Sequence, residues 1–483
     1  MPQSGLAVAH HTMELADLSV AELTALFRSG EVSPVEAAEA ALGRIDRFEG
    51  AVNAFVFQDR ETTLQMARES EARYRAGAPQ NAIDGVPTSV KDLAPVKGWP
   101  LRRGSEALDP KTPMDADSPP VARLREAGAV FIGKTATPES GSRIVTRSRV
   151  HGVTRNPYDL TKTPGGSSGG AAAALALGMG TLALGTDGAG SIRIPSAFCN
   201  LAGLKPGFGR IPSFPPSIFM PHSVTGPMAR RIDDVAAMAA VMAGFEARDP
   251  YAWPVPFDPN KTQMPVSDLK IAVSPTLGTM GEADKETRAA LEGVAKRLSD
   301  AGCLVETANP DWPVDPFEPF MVFWEATYAG FLASYPADIA ARMDPLLQEI
   351  AARGREIEIT TYHKALGDRV AIAAASRAFF NTYDAVLAPV MPGPAFDVET
   401  DAPAGERPDD WRWCPFTYIH NMTGEPSVSV PAGFSQTGLP IGVQIAGPSG
   451  SEERLLSIAS VIENATQHYK KQPSLLKEDI YAY

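Results

Sequence analysis

Apolar residues recur at two different spacings along the chain, and they predict alternating helices and strands. Spacings of three and four residues predict helices, whereas short apolar runs bounded by turn residues predict buried strands. The predicted helices are 18–29, 33–47, 60–76, 121–127, 171–176, 195–201, 232–243, 285–301 and 451–469. The predicted strands are a short segment ending at Lys91, then 129–133, 181–186, 269–274, 303–308, 385–390, 427–431 and 442–445. This alternation favours an α/β fold.

The long-range pattern predicts one domain over residues 1–483. Its core is expected at about 80–245, followed by an irregular Pro- and Asp-rich connection over 245–268. Residues 317–380 are mainly helical in pattern, so we expect a helical insertion on the substrate side at about 310–380.

Glycine is concentrated in one stretch, residues 164–195, which holds nine of the 41 glycines in a chain of 483 residues. Glycine is favoured where the backbone takes a positive φ or approaches another group closely. One cluster surrounds Ser167 and Ser168, and a second precedes Ser191. The second cluster could direct consecutive N–H groups at one point and so stabilise an oxyanion. A serine there needs a base before it can act as a nucleophile.

Composition excludes several classes of function. The net charge of −13 argues against a nucleic-acid or anionic-membrane surface. Three widely spaced cysteines predict neither a disulfide framework nor a metal cluster, and they favour a reducing, cytoplasmic compartment. The first twelve residues lack a basic segment and an apolar run, so we expect no signal peptide and no membrane span.

Lysine is the base that the sequence favours. None of the seven histidines has HExxH spacing, and none lies in the glycine stretch. A GxSxG motif at 166–170 follows a polar loop rather than the buried strand that an α/β-hydrolase would have. Lys91 follows an apolar segment, where burial would lower its pKa and leave it neutral. The alternative is a surface lysine paired with Asp92.

Several motifs, in order through almost the whole chain, resemble the amidase signature family. They are GVPTSVKD at 85–92, GKTATPE at 133–139, PGGSSGG at 164–170, GTDGAGSIRIPSAFCNLAGLKP at 185–206, TGPMAR at 225–230 and NMTGEP at 421–426. The resemblance implies an α/β/α sandwich around a large mixed sheet, with no metal and no cofactor.

The resemblance also implies a Ser-Ser-Lys triad. Ser191 matches the nucleophile, Lys91 the base, and Ser167 the bridging serine that follows a cis peptide bond in the family. The separation of 24 residues between Ser167 and Ser191 favours Ser167 over Ser168 as the bridge, since family members keep that separation. The oxyanion would be held by the backbone N–H groups of Gly188, Ala189, Gly190 and Ser191.

The chain departs from the family where substrate would bind. Ala189 stands where most relatives have glycine, and Ile419 and His420 stand where relatives often have proline and phenylalanine. We expect a substrate pocket from residues that lie near these departures or match substrate positions of relatives, although ordinary packing explains the aromatic ones equally well. The candidates are Ser168, Arg369, Trp413, Phe416 and Tyr418.

The implied function is hydrolysis of a small carboxylic amide, aryl or acyl, through an acyl-enzyme on Ser191. The alternative is the glutamine-hydrolysing subunit of a tRNA-dependent amidotransferase, in which an arginine at the position of Arg369 binds substrate. That subunit resembles GSDTGGSIRQP, whereas this chain has GTDGAGSIRIP at 185–195. An inert binding protein is disfavoured by the intact triad. We expect a small-molecule amide as partner, no nucleic acid and no membrane, with a homodimer left open.

Overall fold

The structure is a computed structural model that describes residues 15–477. The first twelve residues, on which the expectation of no signal peptide rests, lie outside this range. The strands are β1 (Phe55–Phe57), β2 (Pro87–Lys91), β3 (Val130–Thr135), β4 (Arg147–Ser148), β5 (Gly152–Val153), β6 (Leu182–Asp187), β7 (Ala202–Lys205), β8 (Val224–Ala229), β9 (Lys270–Val273), β10 (Leu304–Thr307), β11 (Ala385–Pro389), β12 (Ser427–Phe434) and β13 (Pro440–Ala446).

Helices surround these strands. They are α1 (Val20–Ser29), α2 (Pro34–Val52), α3 (Arg60–Arg75), α4 (Pro119–Glu126), α5 (Gly169–Ala176), α6 (Arg193–Phe198), α7 (Ile232–Met242), α8 (Lys285–Asp300), α9 (Phe317–Ala333), α10 (Ala337–Ala340), α11 (Pro345–Arg355), α12 (Ile359–Phe380), α13 (Ile419–Met422) and α14 (Glu452–Thr466).

Eleven strands form one mixed sheet in the order β1-β3-β2-β6-β8-β7-β12-β13-β11-β9-β10. Strands β3, β2 and β6 are mutually parallel, the middle of the sheet from β6 to β11 is antiparallel, and β11, β9 and β10 are again parallel. Helices flank the sheet, so the α/β fold expected from the sequence is confirmed.

Local sequence signals explain where several helices begin. Ser19 and Ser33 each cap a helix through a capping box, and Pro34 occupies the first turn of α2. Asp284 caps α8 by accepting a hydrogen bond from the Thr287 N–H at 2.7 Å.

Five strands were not predicted, namely β1, β4, β5, β7 and β8, and of these β7 and β8 pair with each other inside the sheet. β8 contains Gly226 and Pro227, which weaken the strand pattern, and β7 is only four residues long. The helix expected over 195–201 lies at Arg193–Phe198 instead, because the chain after it turns directly into β7.

The apolar core has two large parts. One packs α7, α8 and α14 against the sheet through residues such as Val235, Leu291 and Leu455. The other joins the helices of the 310–380 region to the sheet through Phe320 and Leu347. This second part reaches the glycine-rich loops, because Ala189 and Ile194 belong to it.

Within residues 15–477, no helix is long and apolar enough to cross a membrane. The cytoplasmic location, the homodimer and the single-domain division of the chain stay predictions.

Candidate active site

Lys91 lies at the carboxyl end of β2 and is fully buried. Its strand lies between the parallel strands β3 and β6, so Lys91 is positioned in the middle of a parallel part of the sheet rather than at its edge. Its Nζ lies 2.7 Å from Ser167 Oγ, 2.8 Å from Ser168 Oγ and 2.9 Å from Thr186 Oγ1. Asp92 pairs with Lys134 at 2.6 Å. Lys91 is therefore neither at the surface nor paired with Asp92.

Burial lowers the pKa of Lys91 well below its usual value, and the negative charge of Asp187 opposes that shift. Burial dominates because the amine has lost its water, and three hydroxyls replace only part of that solvation. A neutral amine has two N–H donors and one lone pair, which matches three hydroxyl partners. Lys91 is thus arranged to accept a proton.

The two neighbouring serines differ in where their protons go. Ser168 Oγ donates to the Thr186 carbonyl at 3.2 Å, so toward Lys91 it is an acceptor. The Ser167 hydroxyl makes its contact with Lys91 and also lines the open cavity. Ser167 can therefore pass its proton to the lysine, whereas the hydroxyl proton of Ser168 is hydrogen-bonded to the Thr186 carbonyl. The peptide bond between Gly166 and Ser167 is cis, as the resemblance implied.

Ser191 lies on the wall of the same cavity as Ser167 and is 7% exposed. Its backbone carbonyl accepts a hydrogen bond from the Ser168 N–H at 3.2 Å, which ties the two glycine-rich loops together. Its side chain is therefore accessible from the cavity beside the Lys91–Ser167 pair.

The loop before Ser191 is held by a fully buried ion pair. Asp187 and Arg193 are both 0% exposed and lie 3.0 Å apart. Asn421 donates to the Asp187 carboxylate at 3.0 Å, and Gln444 accepts from the Arg193 guanidinium at 2.9 Å. Burial alone would raise the pKa of Asp187, but the charge and hydrogen bonds of Arg193 hold it well below its usual range. The carboxylate is therefore ionised and fixes the loop.

The four expected oxyanion donors are not equivalent. The Gly190 N–H donates to the Asp187 carboxylate at 2.7 Å, and Gly190 does not line the cavity. This corrects the expectation for Gly190, whose N–H is occupied by the structural carboxylate. Gly188, Ala189 and Ser191 line the cavity, and their N–H groups have no protein acceptor among residues 15–477. These three groups are the ones available to an oxyanion.

Close packing fixes the path of this loop. Gly190 has a φ of 124°, and a Cβ built there would lie 2.6 Å from both Ile194 Cδ1 and Thr417 Oγ1. Thr417 in turn donates to the Ala189 carbonyl at 2.6 Å. The side chain of Ala189 packs in the apolar core and is 2% exposed, so its methyl group leaves the N–H direction unchanged.

A cavity of about 120 Å³ opens onto Ser167 and Ser191. One wall is the Pro- and Ser-rich segment 212–219, and another is formed by Trp324 and Tyr328 of α9. No histidine lines this cavity within residues 15–477, which leaves Lys91 as the base nearest to Ser167. No group of histidine, cysteine or acidic side chains in the described part of the chain is arranged to hold a metal ion.

The expected pocket residues lie elsewhere. Tyr418 stacks on Phe320 with ring centroids 4.5 Å apart and is 2% exposed, and Phe416 is completely buried. Trp413 donates its indole N–H to the Arg407 carbonyl at 3.0 Å. None of the three lines the cavity, because the loop carrying them folds into the core.

Arg369 and Ser168 are also away from the cavity wall. Arg369 donates to the Met422 carbonyl at 2.8 Å, and Ser168 contacts Lys91 from behind Ser167. Arg369 is therefore placed to support the backbone of α13 rather than to bind substrate.

Sequence reasoning missed the aromatic residues that do form the wall. Trp324 and Tyr328 line the cavity and lie four residues apart on one face of α9. That spacing is visible in the sequence, but by itself it indicates only helix packing. Sequence reasoning also missed Thr186, Asn421 and Gln444, because nothing in the local pattern distinguishes them from other buried polar residues.

Comparison with known proteins identifies the family of this chain. Residues 36–456 match the profile of the family described as Amidase. The chain is 34% identical to an acylamidase of Rhodococcus erythropolis, over 95% of this chain and 97% of the relative. It is 33% identical to a glutamyl-tRNA(Gln) amidotransferase subunit of Symbiobacterium thermophilum, over 95% of this chain and 99% of that one.

A solved structure of the same family has a similar fold. The fold matches that of a bacterial aryl acylamidase of the amidase signature family with a TM-score of 0.87. That match covers 94% of this chain and 98% of the other at 29% identity. The chain belongs to the amidase family, whose signature it carries, and it is an enzyme of the class that hydrolyses amide C–N bonds.

Proposed function

We propose that this protein hydrolyses a small carboxylic amide, aryl or acyl, to a carboxylate and ammonia or an amine through an acyl-enzyme on Ser191. The observation that carries the proposal is the fully buried Lys91, whose Nζ lies 2.7 Å from the hydroxyl of Ser167 at the edge of the cavity. Burial lowers the pKa of a lysine in that position and so favours the neutral amine, which can act as a base.

In the first half of the reaction, neutral Lys91 accepts the proton of Ser167, and Ser167 accepts the proton of Ser191. The Ser191 oxygen attacks the amide carbon, and the carbonyl oxygen becomes an oxyanion. Lys91, now an ammonium, returns its proton through Ser167 to the leaving nitrogen as the C–N bond breaks. Water then repeats the sequence on the Ser191 ester and releases the carboxylate.

The oxyanion is held by the N–H groups of Gly188, Ala189 and Ser191. Each such donor supplies about 2.7–4 kcal/mol of transition-state stabilisation when it is directed at the oxyanion. The ion pair of Asp187 and Arg193 supports oxyanion binding indirectly. The Asp187 carboxylate accepts the Gly190 N–H and so fixes the loop that carries the other three donors.

The size of the cavity favours a small substrate. A water molecule needs about 10–15 Å³ of such space, so a cavity of about 120 Å³ has room for roughly ten non-hydrogen atoms. An amide of about the size of acetanilide fits that volume, and a somewhat larger amide extends through the open side of the cavity.

The glutamine-hydrolysing subunit is disfavoured by the position of Arg369. An arginine that binds the carboxylate of glutamine has to reach the cavity, whereas Arg369 is bonded to the Met422 carbonyl. Ammonia release from glutamine, with and without partner subunits, separates this alternative from a free-standing amidase.

The test is hydrolysis of 4-nitroacetanilide by purified protein, together with labelling by a fluorophosphonate. Ser191→Ala should abolish labelling, and Ser191→Ala and Lys91→Ala should each lower turnover by at least about 10⁴-fold. Lys296→Ala, at a lysine on the exposed face of α8, is the matched control and should keep full activity. Near-normal turnover by either active-site variant would overturn the assignment.

A further inference from the structure

Arg103 is the one charged side chain among the described residues that line the cavity. No aspartate or glutamate lies on that wall within residues 15–477, and the half-buried guanidinium has no ion pair or side-chain hydrogen bond in that part of the chain. Burial lowers the pKa of Lys134, the paired Asp92 opposes this, and the positive charge of Arg103 adds to the lowering.

The backbone that carries Arg103 is strained. Arg103 has a φ of 52° and Ser140 has a φ of 50°, both in the left-handed region that residues other than glycine rarely adopt. The two residues hold each other, because the Ser140 N–H donates to the Arg103 carbonyl at 2.8 Å. Such strain persists only where surrounding structure enforces it, and it is concentrated at functional sites.

Ser140, which is hydrogen-bonded to the backbone of Arg103, also lines the cavity. Its hydroxyl is buried and has no hydrogen-bond partner among residues 15–477. Its carbonyl accepts from the Tyr328 hydroxyl at 3.3 Å, so the turn is fixed from the side of α9 as well. The cavity therefore presents a guanidinium that pairs with no acidic group of the described chain, on backbone that Ser140 and, behind it, Tyr328 hold in place.

An unpaired guanidinium in a partly desolvated cavity favours an anion, and it matches the planar geometry of a carboxylate. The net charge of −13 works against an approaching anion, so a local cation is what allows one to bind. We propose that Arg103 binds an anionic group of the substrate, and that preferred substrates are small amides carrying a carboxylate. This inference rests on the proposed function.

The test compares anionic amides with neutral analogues that carry an alkyl group in place of the carboxylate. 4-Acetamidobenzoate and 4-methylacetanilide differ at the amine end, whereas N-phenylsuccinamate and N-phenylpentanamide differ at the acyl end. For at least one pair, kcat/KM of the wild-type protein should be about 10- to 100-fold higher for the carboxylate, as expected of a charge-assisted hydrogen bond. The pair that shows the preference identifies the end of the substrate that Arg103 binds.

Arg103→Met keeps a Cβ and a similar length but removes the charge. It should reduce the carboxylate-to-neutral ratio of kcat/KM to about one, and Arg103→Lys should retain part of it. Arg102→Met is the matched control. It removes the same charge one residue earlier, at a position that donates to the Ser105 carbonyl and does not line the cavity, and it should leave the ratio unchanged.

Binding gives a readout that does not need turnover. In the Ser191→Ala background, calorimetry with 4-acetamidobenzoate and N-phenylsuccinamate should show at least tenfold weaker binding of the preferred carboxylate when Arg103→Met is added. Equal binding with and without Arg103, or a wild-type protein with no preference for a carboxylate at either end, would overturn the inference. Failure of the proposed function is different, since then no amide is hydrolysed and Ser191 is not labelled.

Discussion

A substitution at Thr186 tests the role of Lys91 without changing any group that transfers a proton in the mechanism. Its hydroxyl is the third of the oxygens around Lys91, at 2.9 Å from Nζ. Thr186→Val removes that oxygen and keeps the branched shape at the end of β6. The variant therefore changes the surroundings of the amine while leaving Ser167 and Ser168 in place.

The change stabilises the neutral amine relative to the ammonium. A hydrogen bond to a charged group contributes about 1.5–3 kcal/mol and one between neutral groups about 0.5–1.5 kcal/mol, so the ammonium loses about 1–1.5 kcal/mol more than the amine. At about 1.4 kcal/mol per pKa unit, the pKa of Lys91 falls by about one further unit. The substitution therefore shifts the pKa of Lys91 in the same direction as burial, which already lowers it.

The assay is the pH dependence of kcat/KM for a neutral anilide, which reports the ionisation of the free enzyme. Activity requires neutral Lys91, so kcat/KM falls as the pH drops through the pKa of the lysine. Thr186→Val should move this acid limb to lower pH by about one unit. Thr186→Ser keeps the hydroxyl and should leave the limb where it is in the wild-type protein.

An acid limb that stays in place in Thr186→Val, or moves to higher pH, would refute the reasoning. A profile without any acid limb from mildly acidic to alkaline pH would refute the lysine base altogether. Lower activity at all pH values with an unmoved limb would show that Thr186 acts only on packing.

Two further predictions concern the loop that carries the oxyanion donors. Asp187→Asn leaves Arg193 buried without its counter-charge, so we expect a loss of about 3–5 kcal/mol in the free energy of unfolding, measured in denaturant; a loss below about 1 kcal/mol would contradict the pairing. Gly190→Ala places a Cβ 2.6 Å from Thr417 Oγ1, and overpacking of this kind costs about 1–3 kcal/mol. Gly438→Ala is its control, with a φ of 85° but nothing within 4 Å of the added Cβ, and it should lose less stability.

The parts of the site that sequence alone could identify are those carried by short motifs. Lys91 ends an apolar strand, and Ser167 and Ser191 are set apart by the glycines around them, so local pattern and family resemblance were sufficient to name them. The contact between Lys91 and Ser167 joins residues 76 positions apart, and the structure brings them together.

Other parts depend on long-range packing that no local pattern records. The Gly190 N–H could be assigned to Asp187 only once the loop geometry was known, since its sequence neighbours look equivalent. Trp413 and Tyr418 were expected in the pocket because aromatic residues cluster near them. Whether such a cluster faces a cavity or the core is decided by the helices that pack against it, here α9. Strand β8 was missed for a different reason, because its glycine and proline interrupt the sequence pattern of a strand.

Catalysis and substrate selection depend on different parts of the fold, because α9 contributes to the cavity wall but not to the catalytic groups. The proton-transferring groups and the oxyanion donors all come from the sheet and its glycine-rich loops, whereas Trp324 and Tyr328 reach the cavity from a helix more than 130 residues later in the sequence. Substitutions on that helix can reshape the wall of the cavity for new amides while Lys91 and its serines keep their positions. Directed evolution toward a different substrate would therefore begin at positions 324 and 328.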